Sequence, residues 1–368
     1  MRRAARGGGA NGHAGPPPPH GAILPGVKRA GAGQTSAGFV TYGPQRGSHV
    51  IITVTPNAAI DKTLTVPNFQ TGFRHRASDS LTLSGGKGVN VARALKSLGQ
   101  PVVVTGLVGG RAGQQIVEGL ARENFLSDVV HIAGESRTST VVVDPTTMSQ
   151  TEVIEYGPVV TPQELEALLE KIEYLAKGAS VVVLAGSLPR KVAEDFYATA
   201  MHRLRRYRCY LVLDSYGEPL RHGVRARPHL VTPNIREAED LVGHEFHDEQ
   251  DLIDATAAIC DLGARNVIVK TTYGCVARFT RGRRSHVYRA SIEPIEQVIS
   301  TVGSGDAFLA GFLDARMSRQ ELPDCLCAAL AAGAANTQLF GAGVLDIDQA
   351  RRLVATAEVV EADGKAEG

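Results

Sequence analysis

The sequence predicts an α/β fold: a doubly wound, mostly parallel sheet with helices on both faces, joined by a small β-sheet lid. Three observations carry this. Short β-branched runs alternate with helical periodicity along most of the chain, the order that a parallel sheet demands. Several of those runs are apolar without interruption, as strands covered on both faces must be. Two stretches, 62–83 and 138–156, break the rhythm with alternating half-exposed strands and no helix between them, the pattern of a separate sheet.

The elements follow in order. Residues 1–47 are rich in Gly, Ala and Pro, include Pro16-Pro-Pro-Pro19 and show no periodicity, so they read as a disordered extension. The folded body is expected over 48–360, with 361–368 as a flexible tail. Strands are expected at 50–55, 102–107, 181–185, 210–214, 230–232 and 267–270. Helical patterns lie between them at 88–98, 113–123, 162–176, 192–206, 235–242 and 252–262, and three more start at Gly305, Glu321 and Asp346. Set over the strand ends where α/β ligands bind, the two half-exposed stretches would act as a lid. Their exposed strand edges need cover, which a second copy of the chain would supply; a homodimer through the lid is expected.

Composition excludes some functions. The chain is 43% hydrophobic and 21% charged, and no apolar run approaches the roughly 20 residues that span a bilayer, so no membrane role is expected. Six bases and no acid fall within residues 1–48, which leaves the remainder mildly acidic and unsuited to coating nucleic acid. The basic runs 203–208 and 281–284 read as solvated ends of a helix and a hairpin. Five cysteines without metal spacing fit a reducing, cytoplasmic setting. His244-x-x-His247-Asp248 lacks a third placed ligand and reads as an exposed loop.

Three motifs carry chemistry. In Ser300-Thr-Val-Gly-Ser-Gly-Asp-Ala-Phe-Leu-Ala-Gly-Phe-Leu313, the i, i+4 pairs Phe308/Phe312 and Leu309/Leu313 predict a helix beginning near Asp306. Gly303 and Gly305 let the preceding backbone turn its amides toward the helix start, which makes an anion cradle. Asp306 by itself reads equally as a helix cap. In Ser84-Gly-Gly-Lys-Gly-Val-Asn-Val-Ala-Arg-Ala-Leu95, glycines permit close approach of a ligand, Asn90 offers donor and acceptor, and Lys87 offers a point charge. In Val231-Thr-Pro-Asn-Ile-Arg-Glu237, Asn234 and Glu237 lie one helical turn apart, suited to Mg²⁺ or its waters and equally to a capping box.

These three motifs, in this order and at these separations, resemble the PfkB branch of the ribokinase-like sugar kinases, from about His49 to Val360. Thr55-Pro-Asn-Ala-Ala-Ile-Asp-Lys62 and the Lys87 of Gly-Gly-Lys-Gly are similar to the 1-phosphofructokinase and tagatose-6-phosphate kinase subgroup. The resemblance implies Asp306 as catalytic base and Gly303, Ser304 and Gly305 as the anion hole. It implies Asp61, Gly85, Gly86 and Asn90 as sugar-hydroxyl contacts. Arg137 would receive the phosphate already on the substrate, with Lys87 supporting it and Ser187, in Gly186-Ser-Leu-Pro189, nearby. Asn234, Glu237, Gly274 and Asn336 would serve the ATP site, Glu237 holding Mg²⁺ through water. The implied reaction is ATP-dependent conversion of fructose 1-phosphate to fructose 1,6-bisphosphate. Tagatose 6-phosphate or fructose 6-phosphate is the alternative substrate, and a non-catalytic sugar-phosphate-binding regulator is the alternative of another class. One departure stands out: Lys270-Thr-Thr-Tyr-Gly-Cys275 keeps only Gly274 of the Gly-x-x-Gly turn usual there.

Overall fold

The computed structural model describes residues 50–282 and 284–362, so the expected N-terminal extension and most of the expected tail lie outside the described residues. Unbroken β-branched runs form the central strands. The chain runs β1 (Val50–Thr55), β2 (Ala59–Thr65), β3 (Asp79–Gly85), α1 (Lys87–Ser97), β4 (Val102–Gly109), α2 (Gly110–Arg122), β5 (Leu126–Ser127) and β6 (Val130–Ile132). It continues through β7 (Arg137–Asp144), β8 (Ser149–Ile154), α3 (Pro162–Ala176), β9 (Ala179–Ala185), α4 (Phe196–Leu204), β10 (Tyr210–Asp214) and α5 (Gly217–Arg225). Then come β11 (Leu230–Val231), α6 (Ile235–Val242), α7 (Glu249–Leu262), β12 (Asn266–Lys270), β13 (Gly274–Arg281) and β14 (Arg284–Ile292). The last elements are α8 (Ser304–Met317), α9 (Leu322–Thr337), α10 (Ile347–Leu353) and β15 (Ala357–Ala362).

The large sheet has the order β15-β14-β13-β12-β11-β10-β9-β1-β4-β5, with β6 also on β4. From β12 to β5 every pairing is parallel, while β13, β14 and β15 add an antiparallel edge. Glu361 and Ala362, expected in the tail, instead pair with Tyr288 and Val287. Both faces of the parallel part are covered. Val181 and Val183 of β9 enter one core with α1, α8 and α9, and the alternate Val182 and Leu184 enter the other with α3, α4 and α7. Each such side chain contributes about 1.5–3 kcal/mol by leaving water.

The lid is a separate sheet of order β3-β2-β7-β8, drawn from the two stretches that break the periodicity. Its outer strand β8 is mostly exposed, and Gln150 on it meets Thr301, just ahead of α8, at 3.5 Å. In the body, β1 leads to β4 on one side while β9 and the strands after it extend on the other. The order in which strands are added therefore reverses between β1 and β9, and ligands of open α/β sheets bind at the carboxyl ends beside such a reversal. Asn57 follows β1, Ser187 follows β9, Asp214 ends β10, Asn234 follows β11 and Lys270 ends β12, all at this edge. Among the described residues no helix is long and apolar enough to cross a membrane.

Candidate active site

The approach to α8 is set by Gly303, whose φ of 83° belongs to the left-handed region and whose Cβ, were it present, would lie 2.5 Å from the Ala342 Cα. Ser304 donates its amide back to the Thr301 carbonyl at 3.2 Å. The amides of Gly305 and Asp306 then have no acceptor among the described residues, at the positive end of a 14-residue helix. Of the expected anion-hole residues, Ser304 thus spends its amide within the turn, while Gly305 keeps its amide without an acceptor, as does the neighbouring Asp306. Asp306 is 6% exposed and accepts a hydrogen bond from Asn90 Nδ2 at 2.9 Å. Burial pushes its carboxyl up to about 7; Lys87 pulls against this shift and the Asp214 charge adds to it.

Asn90 is itself held. Arg93, one turn on and on the same face, donates from Nη1 to Asn90 Oδ1 at 3.3 Å and to the Ala342 carbonyl at 2.9 Å. Its other donors reach the Ser84 carbonyl and Glu123, so the buried guanidinium is saturated. With its oxygen claimed by Arg93, the Asn90 amide must point its nitrogen at Asp306. Arg93 is therefore a positioning residue, legible only as the last letter of its motif.

Beside the helix start lies a charge cluster that sequence reasoning missed in part. Lys87 Nζ stands 3.2 Å from Asp214 Oδ1 and 3.7 Å from Glu237 Oε1, and Lys270 Nζ stands 3.6 Å from the same Asp214 oxygen. Burial disfavours the charge on Asp214, yet Lys270 and Lys87 outweigh it and hold the carboxyl below its ordinary value. Burial likewise works against Lys87, but Asp214, Glu237 and Asp306 together keep its ammonium charged well above the usual range. Lys87, which the resemblance sets beside the substrate phosphate with Arg137, stands in this cluster in the structure. Asn234 and Glu237 form the capping box, Asn234 Oδ1 accepting from the Glu237 amide and Glu237 Oε2 from the Asn234 amide, each at 2.9 Å. The box fixes one Glu237 oxygen and leaves the other facing Lys87.

The lid supplies the opposite end. Asp61 accepts from the Gly86 amide at 3.3 Å, and a Cβ on Gly85 would fall 2.0 Å from the Asp61 carboxyl, so the backbone must be bare there. Burial raises the Asp61 carboxyl, opposed by the Gly86 amide and by Arg137 and Arg93. Arg137 donates from Nε to the Asn57 carbonyl at 3.2 Å, and Asn57 Nδ2 donates to Ser187 Oγ at 3.0 Å, which ties the lid across the β1–β9 reversal. Burial lowers the Arg137 pKa while Asp61 supports its charge. Its two Nη groups have no hydrogen-bond partner among the described residues. A cleft between the lid and the body is lined by Asp61, Ser139, Glu152, Val302, Gly341 and Ala342.

Two residues expected at the nucleotide have structural roles. Asn336 is fully buried and donates to the carbonyls of Gly341 and Val344, bracing the loop behind Gly303, so it presents no face to a ligand. Gly274 opens β13, where a Cβ would meet the Ala290 carbonyl at 2.3 Å; strand pairing requires the glycine.

A model of the pfkB family carbohydrate kinases matches residues 54–349. The chain is 30% identical over 286 residues to the 1-phosphofructokinase of Borreliella burgdorferi, covering 78% of this chain and 91% of that protein. It is 31% identical over 271 residues to the 1-phosphofructokinase of Bacillus subtilis, covering 74% and 86%. The crystal structure of phosphofructokinase-2 from Escherichia coli in complex with substrates and products matches with a TM-score of 0.76 at 25% identity, covering 83% of this chain and 98% of that one. The chain belongs to the pfkB family of carbohydrate kinases and is a phosphotransferase.

Proposed function

We propose that this kinase transfers the terminal phosphoryl group of ATP to a ketohexose phosphate, fructose 1-phosphate by preference, yielding fructose 1,6-bisphosphate and ADP. The observation that carries the phosphosugar reading is Arg137. A half-buried guanidinium with both Nη groups unpartnered is costly beside a neutral sugar, whereas a phosphate dianion accepts two parallel hydrogen bonds from it. The sugar's own hydroxyls have Asp61 and Asn90. The choice of fructose 1-phosphate is supported by the names of the two relatives at about 30% identity.

In this reading the acceptor hydroxyl lies against Asp306, whose carboxylate takes its proton as the oxygen bonds to phosphorus and ADP departs. A base with a pKa of about 7 is matched to that task near neutral pH. The charge on the transferring group meets the Gly305 and Asp306 amides, which are fixed before it arrives and need no reorganisation. Magnesium, when bound, neutralises charge between the nucleotide's terminal phosphates. The residues present fit it: Glu237 would hold it through water, and Asp214 Oδ2, buried without a partner, is a second hard oxygen. The open edges of the lid sheet, β3 and β8, support pairing with a second copy, and light scattering that finds an active monomer would refute that part.

The test is ADP release with fructose 1-phosphate, fructose 6-phosphate, tagatose 6-phosphate and free hexoses as acceptors. A phosphosugar should lead. Preference for one of the 6-phosphates would keep the Arg137 reading and move only the substrate choice, while equal turnover of a free hexose would defeat it.

A further inference from the structure

We propose that Glu152 is a specificity-determining residue of the lid, its carboxylate accepting a hydroxyl of the acceptor sugar from across β7 and so selecting among epimers. The inference deepens the proposed function and rests on the kinase reading, but it does not need the acceptor to carry a phosphate.

Strand register sets the position. Ser139 of β7 pairs with Asp61 of β2, Val141 of β7 pairs with Glu152 of β8, and side chains alternate along a strand. Arg137, Ser139, Val141, Asp61 and Glu152 therefore share one face of the lid sheet. That face looks into the cleft, where Asp61, Ser139, Val141 and Glu152 stand with Val302, the residue before Gly303. Gln150, two residues back on the same face, meets Thr301 at 3.5 Å and sets this corner of the lid against the approach to α8. Along β7 the order is Arg137, then Asp61 beside Ser139, then Glu152 beside Val141, about 13 Å of strand beyond Arg137. That spacing leaves room for one hexose between the two.

Glu152 is also unspent. Every other carboxylate on the lid strands or adjoining them accepts a backbone amide: Asp61 from Gly86, Asp79 from Ser80, Asp144 from Asn68 and Phe69, and Glu155 from Thr138. Glu152 has neither a hydrogen bond nor an ion pair among the described residues. Burial first, and the Glu152 charge with it, pushes the Asp61 carboxyl up, so two like charges face one cleft. Sugar hydroxyls are neutral donors that suit such a pair, whereas a phosphate is repelled from this end and drawn to Arg137. A carboxylate accepts a hydroxyl only where the ring points it, and an epimer that turns it away loses the bond.

The experiment measures kcat and KM of the full chain in wild type, Glu152→Ala and Glu152→Gln. The acceptors are fructose 1-phosphate and its C3, C4 and C5 epimers, the 1-phosphates of psicose, tagatose and sorbose. Wild type should disfavour at least one epimer by about tenfold or more in kcat/KM. Glu152→Ala should raise KM for fructose 1-phosphate about tenfold, the scale of one lost hydrogen bond to a charge, with kcat within about threefold. KM for the epimer whose hydroxyl points away should stay within about twofold, so its gap narrows while the other gaps persist. Glu152→Gln, which keeps one acceptor oxygen in place, should recover part of the loss. An unchanged KM, an equal loss for all four sugars, or a fall in kcat alone would each overturn the proposal. If wild type turns over free ketohexoses equally well, the phosphosugar reading falls, and the same scan on the free epimers still decides the role of Glu152.

Discussion

The two ends of the cleft are built on different terms. At the transferring end, Asp306, Asp214, Glu237, Lys87 and Lys270 come from α8, β10, α6, α1 and β12, and each charge has an opposite charge nearby. At the acceptor end, Asp61 and Arg137 come from the lid strands β2 and β7, and the guanidinium keeps two donor groups unpartnered. The side-chain charges of the first end are balanced before any ligand arrives. The second is completed by one. The proposed function accordingly puts reaction chemistry in the packed body and recognition of the acceptor on a thin sheet at its edge.

If this division is right, the largest effect belongs to the body. Asp306→Asn keeps shape and the Asn90 contact but removes the base, and kcat should fall about 10²–10⁴-fold while the phosphosugar KM stays near wild type. Near-normal kcat would return Asp306 to a structural cap. In the wild type, kcat should rise with pH through an apparent pKa near 7, the value to which burial pushes this carboxyl. The same shift has a stability consequence. A carboxyl whose folded pKa lies above its unfolded value contributes stability at low pH that is lost as pH rises through about 7. Asp306→Asn should therefore melt above wild type at pH 8, with the advantage gone near pH 4; the reverse order in thermal scans would show that the charge is not strained.

A second, smaller effect tests whether the body end is an electrostatic unit. Asp214→Asn leaves Lys270 without its counter-ion and Lys87 with only Glu237, and such loss of one partner from a buried pair costs about 3–5 kcal/mol. Urea unfolding that shows less than about 1 kcal/mol would mean the lysines are better hydrated than the geometry implies. Smallest is Asn57→Ala, which cuts the Ser187 tie but keeps the backbone carbonyl that holds Arg137. A neutral hydrogen bond of about 0.5–1.5 kcal/mol predicts a few-fold rise in phosphosugar KM with kcat unchanged, and a kcat defect instead would blur the division between the ends.

How much of this was legible depended on whether the physics was local. The α8 start, the Asn90 loop and the Asn234–Glu237 pair each lie within a dozen residues, so spacing alone exposed them. Asp214 and Lys270 are single charges at the ends of the apolar runs 210–214 and 266–270, and their meaning appears only when β10 and β12 stand either side of β11. Asn57 and Ser187 meet across 130 residues. Of the antiparallel edge only the hairpin end at 281–284 was legible, because β13 and β14 interleave Arg278 and Arg289 with apolar residues, and α5 was missed because Pro219 and Gly223 weaken a short helix whose Leu220 and Val224 nevertheless face the core. Asn336 entered through the resemblance alone, and the structure gives its amide nitrogen two backbone carbonyls, which no local pattern announced.

The most direct test of the central claim crosses Arg137 with the substrate phosphate. It compares kcat/KM of wild type and Arg137→Ala for fructose 1-phosphate and for free fructose. Loss of a charged contact of about 1.5–3 kcal/mol should lower the value for fructose 1-phosphate by roughly 10- to 150-fold and leave the value for fructose within about twofold. Equal losses for both sugars would contradict the account, because Arg137 would then be supporting the lid rather than reading a phosphate.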